Sequence, residues 1–429
     1  MNFKSLAGFL LIGVLAGCRN QGDQLVSNIF IDSLIKNYTP PAFARANDSA
    51  ISFWKNRIQP DLPGIVSESK YAACLSMRFR LFGDIRDIQL ADSVMRKIDL
   101  DFNHKEAQSA LNLVSFSIQQ HRFSDANEWL EKAKQIGLKK YDLLITSFDV
   151  DFELGKYFQA SNALKELKSA DYNYYFRRSK MDHLNGSTDS ALRSMKQAAA
   201  LGKNNPWLEQ VALANAADLC VHAGDFHQAS ALYKKCVQMN SADFHSMIGL
   251  GWIAMVHDRN DSLAEKIFSF VHTKSRLPDP LYKLYQVAQY RKDSSFESNY
   301  AKEFANVVSD PSYGKMYNKY LVELYTGILN KPALAEKISK DELQNRATPQ
   351  TFAWYAWSLF CNNKKSEALE QYTQHVSGRP LEALELFWMG KMMEGLSKGF
   401  NAQAYLKAAS VNKYDLSPAI LSELEKSSD

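Results

Sequence analysis

No stretch of this sequence alternates apolar and polar residues between turn-forming pairs, which argues against a sandwich or barrel of strands. Proline is scarce, 12 in 429 residues, and 46% of residues are hydrophobic, so extensive disorder is excluded. No block of Lys and Arg accompanies the net charge of +4, and nucleic acid is therefore not an expected partner. The chain holds 5 cysteines. Cys74, Cys220, Cys236 and Cys361 form no C-x-x-C pair and no zinc spacing. Each falls in an apolar run, where cysteine packs as a small hydrophobe.

Chemical motifs are equally absent. There is no G-x-S-x-G elbow, P-loop or H-E-x-x-H. Gly249-Leu250-Gly251 lies inside an apolar helical run with no strand before it, so it is no nucleotide motif. His222 and His227 flank the Gly224-Asp225 turn without an evident third ligand, and read as turn and surface residues. Asp149, Asp151 and Glu153 alternate along a helix and so fall on different faces, which disfavours paired acid–base work. The expectation is a protein without catalytic residues, metal or cofactor.

What is present begins at the N-terminus. Lys4 precedes a short apolar run, Leu6 to Val14, which ends in Leu15-Ala16-Gly17-Cys18. That ending resembles the bacterial lipobox, and the resemblance implies a signal peptide over 1–17 and acyl chains on Cys18. More than one acyl chain gives stable anchoring. No later run reaches eighteen apolar residues, so the remainder is expected to be tethered and not membrane-spanning. Arg19 follows the cysteine where an aspartate would favour the inner membrane. The resemblance therefore points to the outer membrane, its periplasmic leaflet first and the cell surface second.

A single core stops growing at roughly 250–300 residues, so the chain needs several domains or a repeat array. From Lys70 onward nearly every segment reads as an amphipathic helix stopped by a short turn. Small residues recur near the start of every second helix: Ala91, Ala126, Ala160, Ala191, Ala229, Ala264, Ala368 and Ala402. Their steps are 35, 34, 31, 38 and 35 up to Ala264, and 34 at the end. The interval of 104 between Ala264 and Ala368 is close to three periods, which puts two further anchors at Ser298 and Ala333 by spacing alone. Lys302 and Lys337 then occupy their large apolar positions. A small side chain is required where paired helices approach most closely, and a large residue one turn on fills the gap toward the neighbours.

The period near 34, the Gly224-Asp225-Phe226 turn and the small–large–small series resemble the tetratricopeptide repeat over about Tyr71 to Val411. The resemblance implies an all-α, right-handed superhelical solenoid of about ten antiparallel helix pairs, with the array over 71–429. Residues 18–70 read as a tether and capping helices, since a terminal repeat must cover its apolar end.

First helices line the concave side of such a superhelix. In this register Ser76, Arg80, Ser115, Asp149, Lys180, Asp218, Trp357 and Lys391 face inward. Phe352, Trp354, Tyr355, Trp357 and Phe360 put five aromatics on one helix, more than a two-layer stack is expected to bury. Trp357, Phe360, Arg80 and Lys391 are the candidate partner-binding residues. The function expected is a lipid-anchored envelope scaffold for a protein or peptide partner. The alternative is an outer-membrane lipoprotein that binds a glycan or nutrient.

Overall fold

The computed structural model describes residues 24–59, 64–167, 169–396, 402–411 and 413–426. Cys18 and the segment resembling a lipobox lie outside the described residues. Among those described there are only helices and loops, and no helix is long and apolar enough to cross a membrane.

The chain is an all-α superhelical solenoid of antiparallel helix pairs. Repeats 1 to 5 pair Ile65–Phe82 with Ile85–Asp101, Ala107–Gln119 with Phe123–Ile136, Lys140–Glu153 with Tyr157–Glu166, Tyr172–Leu184 with Thr188–Gly202, and Pro206–His222 with Phe226–Met239. Repeats 6 to 10 pair Phe244–Val256 with Asp261–Lys274, Asp279–Arg291 with Ser294–Val308, Asn318–Thr326 with Pro332–Asn345, Pro349–Cys361 with Lys365–His375, and Ala383–Leu396 with Ala402–Val411. Two helices precede them, Asn28–Lys36 and Ala42–Lys55, and Pro418–Lys426 follows.

Each turn of repeats 1 to 9 reverses through one left-handed residue. Glycine supplies it at Gly83, Gly155, Gly186 and Gly224, but His121, Arg259, Lys292, Asn330 and Asn363 take the same conformation, with φ between 46° and 78° over the nine. The glycine signal is therefore weak along the sequence although the turn geometry is constant. Asp or Asn side chains then cap several second helices by accepting a backbone N–H, at Asp84, Asp225, Asn260 and Asp293.

The anchors Ala91, Ala126, Ala160, Ala191, Ala229, Ala264 and Ala368 are fully buried. The two anchors placed by spacing alone require correction. Ser298 is half-buried and Ala333 exposed; the fully buried small residues are Ala301 and Ala335. The steps become 37, 34 and 33, so the repeat never lapses. Phe304 and Val308 follow Ala301 as core residues, whereas Ser339 and Glu342 follow Ala335, buried and polar.

Where helices approach closest, glycine is required. A Cβ on Gly251 would lie 2.4 Å from Cε1 of the fully buried Phe268, and one on Gly249 would lie 2.4 Å from Cζ of Tyr233. Alanine is the better helix former by about 1 kcal/mol, yet Gly251→Ala is expected to destabilise the protein by about 1–3 kcal/mol through overpacking. Urea denaturation with an unchanged slope and a lower midpoint is the expected readout.

The superhelix also rests on itself. A Cβ on Gly83 would meet Leu277 Cδ2 at 2.5 Å, one on Gly155 would meet Thr348 Cγ2 at 3.0 Å, and one on Gly224 would meet Tyr414 Cε2 at 2.4 Å. The turns of repeats 1, 3 and 5 thus touch the segments that follow repeats 6, 8 and 10. Hydrogen bonds reinforce these contacts: Arg276 N–H donates to the Phe82 carbonyl at 2.6 Å, and Trp252 Nε1 to the Tyr414 carbonyl at 3.0 Å. At Gly83 and Gly224 glycine answers two demands, a left-handed turn and a neighbouring coil pressed against it.

The N-terminal segment does not act as a simple end cap. Ala42–Lys55 packs on the first helix of repeat 1, as a cap would. Leu25, Val26 and Ile31, by contrast, are buried in the core of repeats 5 and 6, and Tyr38 packs edge-on against Phe270 at 5.3 Å. The segment is a strap from the first superhelical coil to the second.

Candidate functional site

Helical spacing puts Asn215, Asp218, Leu219 and His222 on one face of the first helix of repeat 5. The same spacing aligns Lys180 and His183 in repeat 4, Tyr282, Lys283 and Gln286 in repeat 7, and Lys319, Tyr320 and Glu323 in repeat 8. Because the coils close on one another, these faces converge, with Glu382 and Asp415, on a cavity of 430 Å³ along the superhelix axis.

Most charges around it are paired. Lys180 Nζ lies 3.1 Å from Glu153 Oε1, and Lys319 Nζ lies 3.0 Å from Glu382 and 2.9 Å from Glu385. His245 Nε2 sits 3.0 Å from Asp218, and His222 pairs with Asp415. The Asp218 carboxylate raises the His245 pKa to about 9, and hydrogen bonding to Asp415 raises that of His222. His183, 4.6 Å from His222 between ring centroids, moves the other way, through burial first and the neighbouring imidazole second. Lys319 holds the Glu382 carboxyl low. Two groups differ. Lys283 donates to Gln286 Oε1 at 3.0 Å and lies 3.7 Å above the Trp252 ring; burial lowers its pKa to about 8. Glu323 accepts from the Tyr282 hydroxyl at 2.5 Å, and burial raises its pKa.

The shift at Lys283 has a testable sign. Its folded pKa lies below its unfolded value, so the folded state sheds the proton first and stability rises with pH from about 8 to about 10. Lys283→Met is expected to remove that rise and, at pH 7, to stabilise the protein by about 1–2 kcal/mol, a figure discounted for partial exposure. Urea melts of both proteins at pH 7 and pH 9.5 check it; equal differences at the two pH values would contradict the assignment.

Of the inward-facing positions read from sequence, Lys180 and Asp218 line the axial cavity. Ser115, Asp149 and Lys180 share an adjoining hollow of 240 Å³. Asp149 pairs with Arg177 at 2.5 Å. The four candidate partner-binding residues do not line the cavity. Arg80 is exposed, with Nε 3.1 Å from Gln119 Oε1, the same oxygen to which Ser76 donates at 3.4 Å. Lys391 is held by Glu394 at 2.7 Å and by Glu423 of the last helix at 3.1 Å. Trp357 donates to Thr326 Oγ1 at 3.0 Å and stacks parallel to Trp388 at 6.0 Å, while Phe360 is pressed against Gly395.

The five-aromatic helix presents no exposed anchor: Trp354 and Tyr355 are buried and the other three half-buried. Repeat 10 and the helix before it supply the surface that two layers alone do not. His222, expected at the surface, instead faces the cavity, because the helix continues through it before the turn begins. Among the described residues Cys74, Cys220, Cys236 and Cys361 are free of disulfides; burial pushes Cys220 up to about 11 and Cys236 up to about 12, which makes both poor nucleophiles. Among the described residues no three His, Cys, Asp or Glu side chains are grouped to hold a metal.

No protein-family profile matches the sequence. No curated protein matches it either. Solved structures of similar helical build include yeast Tom70, at 13% identity with a TM-score of 0.40 over 73% of this chain and 70% of that one. Human IFIT1, solved as a dimer with m7Gppp-AAAA, aligns at 12% identity with a TM-score of 0.47 over 76% of each chain. The P58(IPK) TPR domain aligns at 13% identity with a TM-score of 0.24 over 89% of this chain and 97% of that one.

Proposed function

We propose that this chain is a lipid-anchored scaffold of a bacterial envelope, tethered through Cys18 to the outer membrane on its periplasmic side. It holds a protein partner and carries out no catalysis. The observation that supports this reading is the contact between superhelical coils, such as Gly83 on Leu277 and Gly224 on Tyr414. A solenoid locked in this way presents surfaces already in their bound shape, so little ordering entropy opposes association.

A second reading, a lipoprotein that binds a small ligand, is favoured by the axial cavity, whose 430 Å³ suits a small molecule and not a folded partner. Metabolic labelling with an alkyne fatty acid is expected to mark the wild type and not Cys18→Ser. Crosslinking in intact cells is expected to recover one defined envelope protein in stoichiometric amount. Unlabelled wild-type protein would end the anchoring claim, and recovery of background alone would end the scaffold claim.

A further inference from the structure

Two opposite charges face the axial cavity with no counter-ion within 4.0 Å, although Asp279, Glu323 and Asp415 act on Lys283, and Lys319 and Lys283 on Glu323, from farther away. Lys283 donates only to the neutral Gln286, and no carboxylate oxygen among the described residues lies within 4.0 Å of its ammonium. Glu323 receives one neutral hydroxyl, that of Tyr282, and no cationic nitrogen lies within the same limit. The other charged side chains around the cavity form direct ion pairs, and these two do not. Lys283 and Glu323 feel each other's charge across the cavity but do not come within 4.0 Å, which leaves room between them.

We propose that the cavity binds an ampholyte of amino-acid or dipeptide size, its carboxylate on Lys283 and its ammonium on Glu323. A simple anion would satisfy Lys283 and leave the Glu323 carboxylate facing like charge. A simple cation would do the reverse. Only a ligand that carries both charges relieves both sites, and a partly buried ion gains most from a counter-charge it lacks. The volume of 430 Å³ falls within the ordinary range for small-molecule sites, about 300–1,000 Å³. The rings of Tyr282 and Tyr320, 4.5 Å apart between centroids, and the side chain of Leu384 offer apolar contact to whatever side chain the ligand bears. This inference goes beyond the scaffold reading and holds whether or not a protein partner is found.

The test is calorimetric titration of the full-length protein in detergent micelles with the twenty common L-amino acids and L-alanyl-L-alanine. At least one is expected to bind, and its N-acetyl and carboxamide derivatives are each expected to bind at least tenfold more weakly, the scale of one charge-assisted hydrogen bond. Lys283→Met is expected to weaken the parent ligand tenfold or more and to abolish the effect of amidation. Glu323→Gln is expected to do the same for acetylation, and Lys283→Arg to restore binding in part. Should Glu323→Gln fail to fold, Glu323→Asp replaces it and is expected to weaken the ammonium dependence. No binding by any compound of the panel would overturn the proposal. So would binding that ignores both variants, or acetate that binds as tightly as the amino acid. Partner capture by crosslinking is expected to be unchanged in Lys283→Met, so failure here is distinguishable from failure of the scaffold reading.

Discussion

Asn345→Ala is expected to destabilise the protein by about 3–5 kcal/mol. Asn345 ends the second helix of repeat 8 and is 2% exposed. Its carbonyl oxygen accepts the backbone N–H groups of Phe123 at 2.8 Å and Ser124 at 3.3 Å. Its amide donates to the His121 carbonyl at 2.8 Å and to Glu342 Oε1 at 3.1 Å. One side chain therefore serves three backbone groups of the turn in repeat 2, and alanine would leave the buried Phe123 N–H and the half-buried Ser124 N–H and His121 carbonyl without it.

Glu342 is fully buried and would lose a donor as well, although Asn318 at 2.7 Å and Arg346 at 3.0 Å still serve it. Urea unfolding is expected to begin at a lower concentration, with hydrogen exchange at Phe123 and Ser124 faster than elsewhere in repeat 2. An unchanged midpoint together with unchanged protection at those two amides would show that the coils are held some other way.

The same junction explains what the sequence made legible and what it hid. The repeat is written in local spacing: Ala91, Ala126 and their successors each sit where paired helices must approach, so periodicity alone locates them. Ser298 and Ala333 misled because they divide the 104-residue interval evenly whereas the true steps are 37, 34 and 33, and in repeat 8 the buried polar Ser339 and Glu342 also hide the apolar series. Ser339 donates to the Ala335 carbonyl of its own helix at 2.8 Å, while Glu342 holds Asn345, which binds a turn 222 residues away in the chain. No local period encodes that neighbour. The fully buried Ala335 restores the register.

The cavity was half legible for the same reason. Lys180 and Asp218 follow from counting back along first helices, whereas Lys283, Lys319 and Glu323 belong to the two repeats whose anchors were misplaced. One signal was present: Lys319-Tyr320 and Glu323 put charge on a face that otherwise reads as core. The aromatic helix misled in the opposite direction. Two layers alone would have exposed part of it, but Trp388 and Gly395 of the next repeat cover Trp357 and Phe360.

Asp258→Ala is expected to release the N-terminal strap. The Asp258 side chain is 0% exposed, and its two carboxylate oxygens accept the consecutive backbone N–H groups of Leu25 at 3.0 Å and Val26 at 2.8 Å. The Leu25 carbonyl in turn accepts from Ser230 Oγ at 3.0 Å and Lys234 Nζ at 2.6 Å. Charged acceptors hold backbone donors at about 1.5–3 kcal/mol each, so the loss of both is expected to remove about 3–5 kcal/mol from the strap's attachment. The exposed ion pair between Lys266 and Asp32 is too solvated to compensate.

Fast exchange at the Leu25 and Val26 amides and new protease cleavage before Tyr38 are expected. The global midpoint is expected to fall less than in Asn345→Ala, because the ten repeats keep their own packing. Asp258→Asn should fall between, since a carboxamide has one carbonyl oxygen for two donors. Protection of Leu25 and Val26 that survives in the alanine variant would mean that Val26 and Ile31, buried among repeats 5 and 6, hold the strap without the carboxylate. If Cys18 carries an anchor, this clamp is what fixes the orientation of the superhelix toward the membrane. The alanine variant should then keep its lipid label while the strap comes loose.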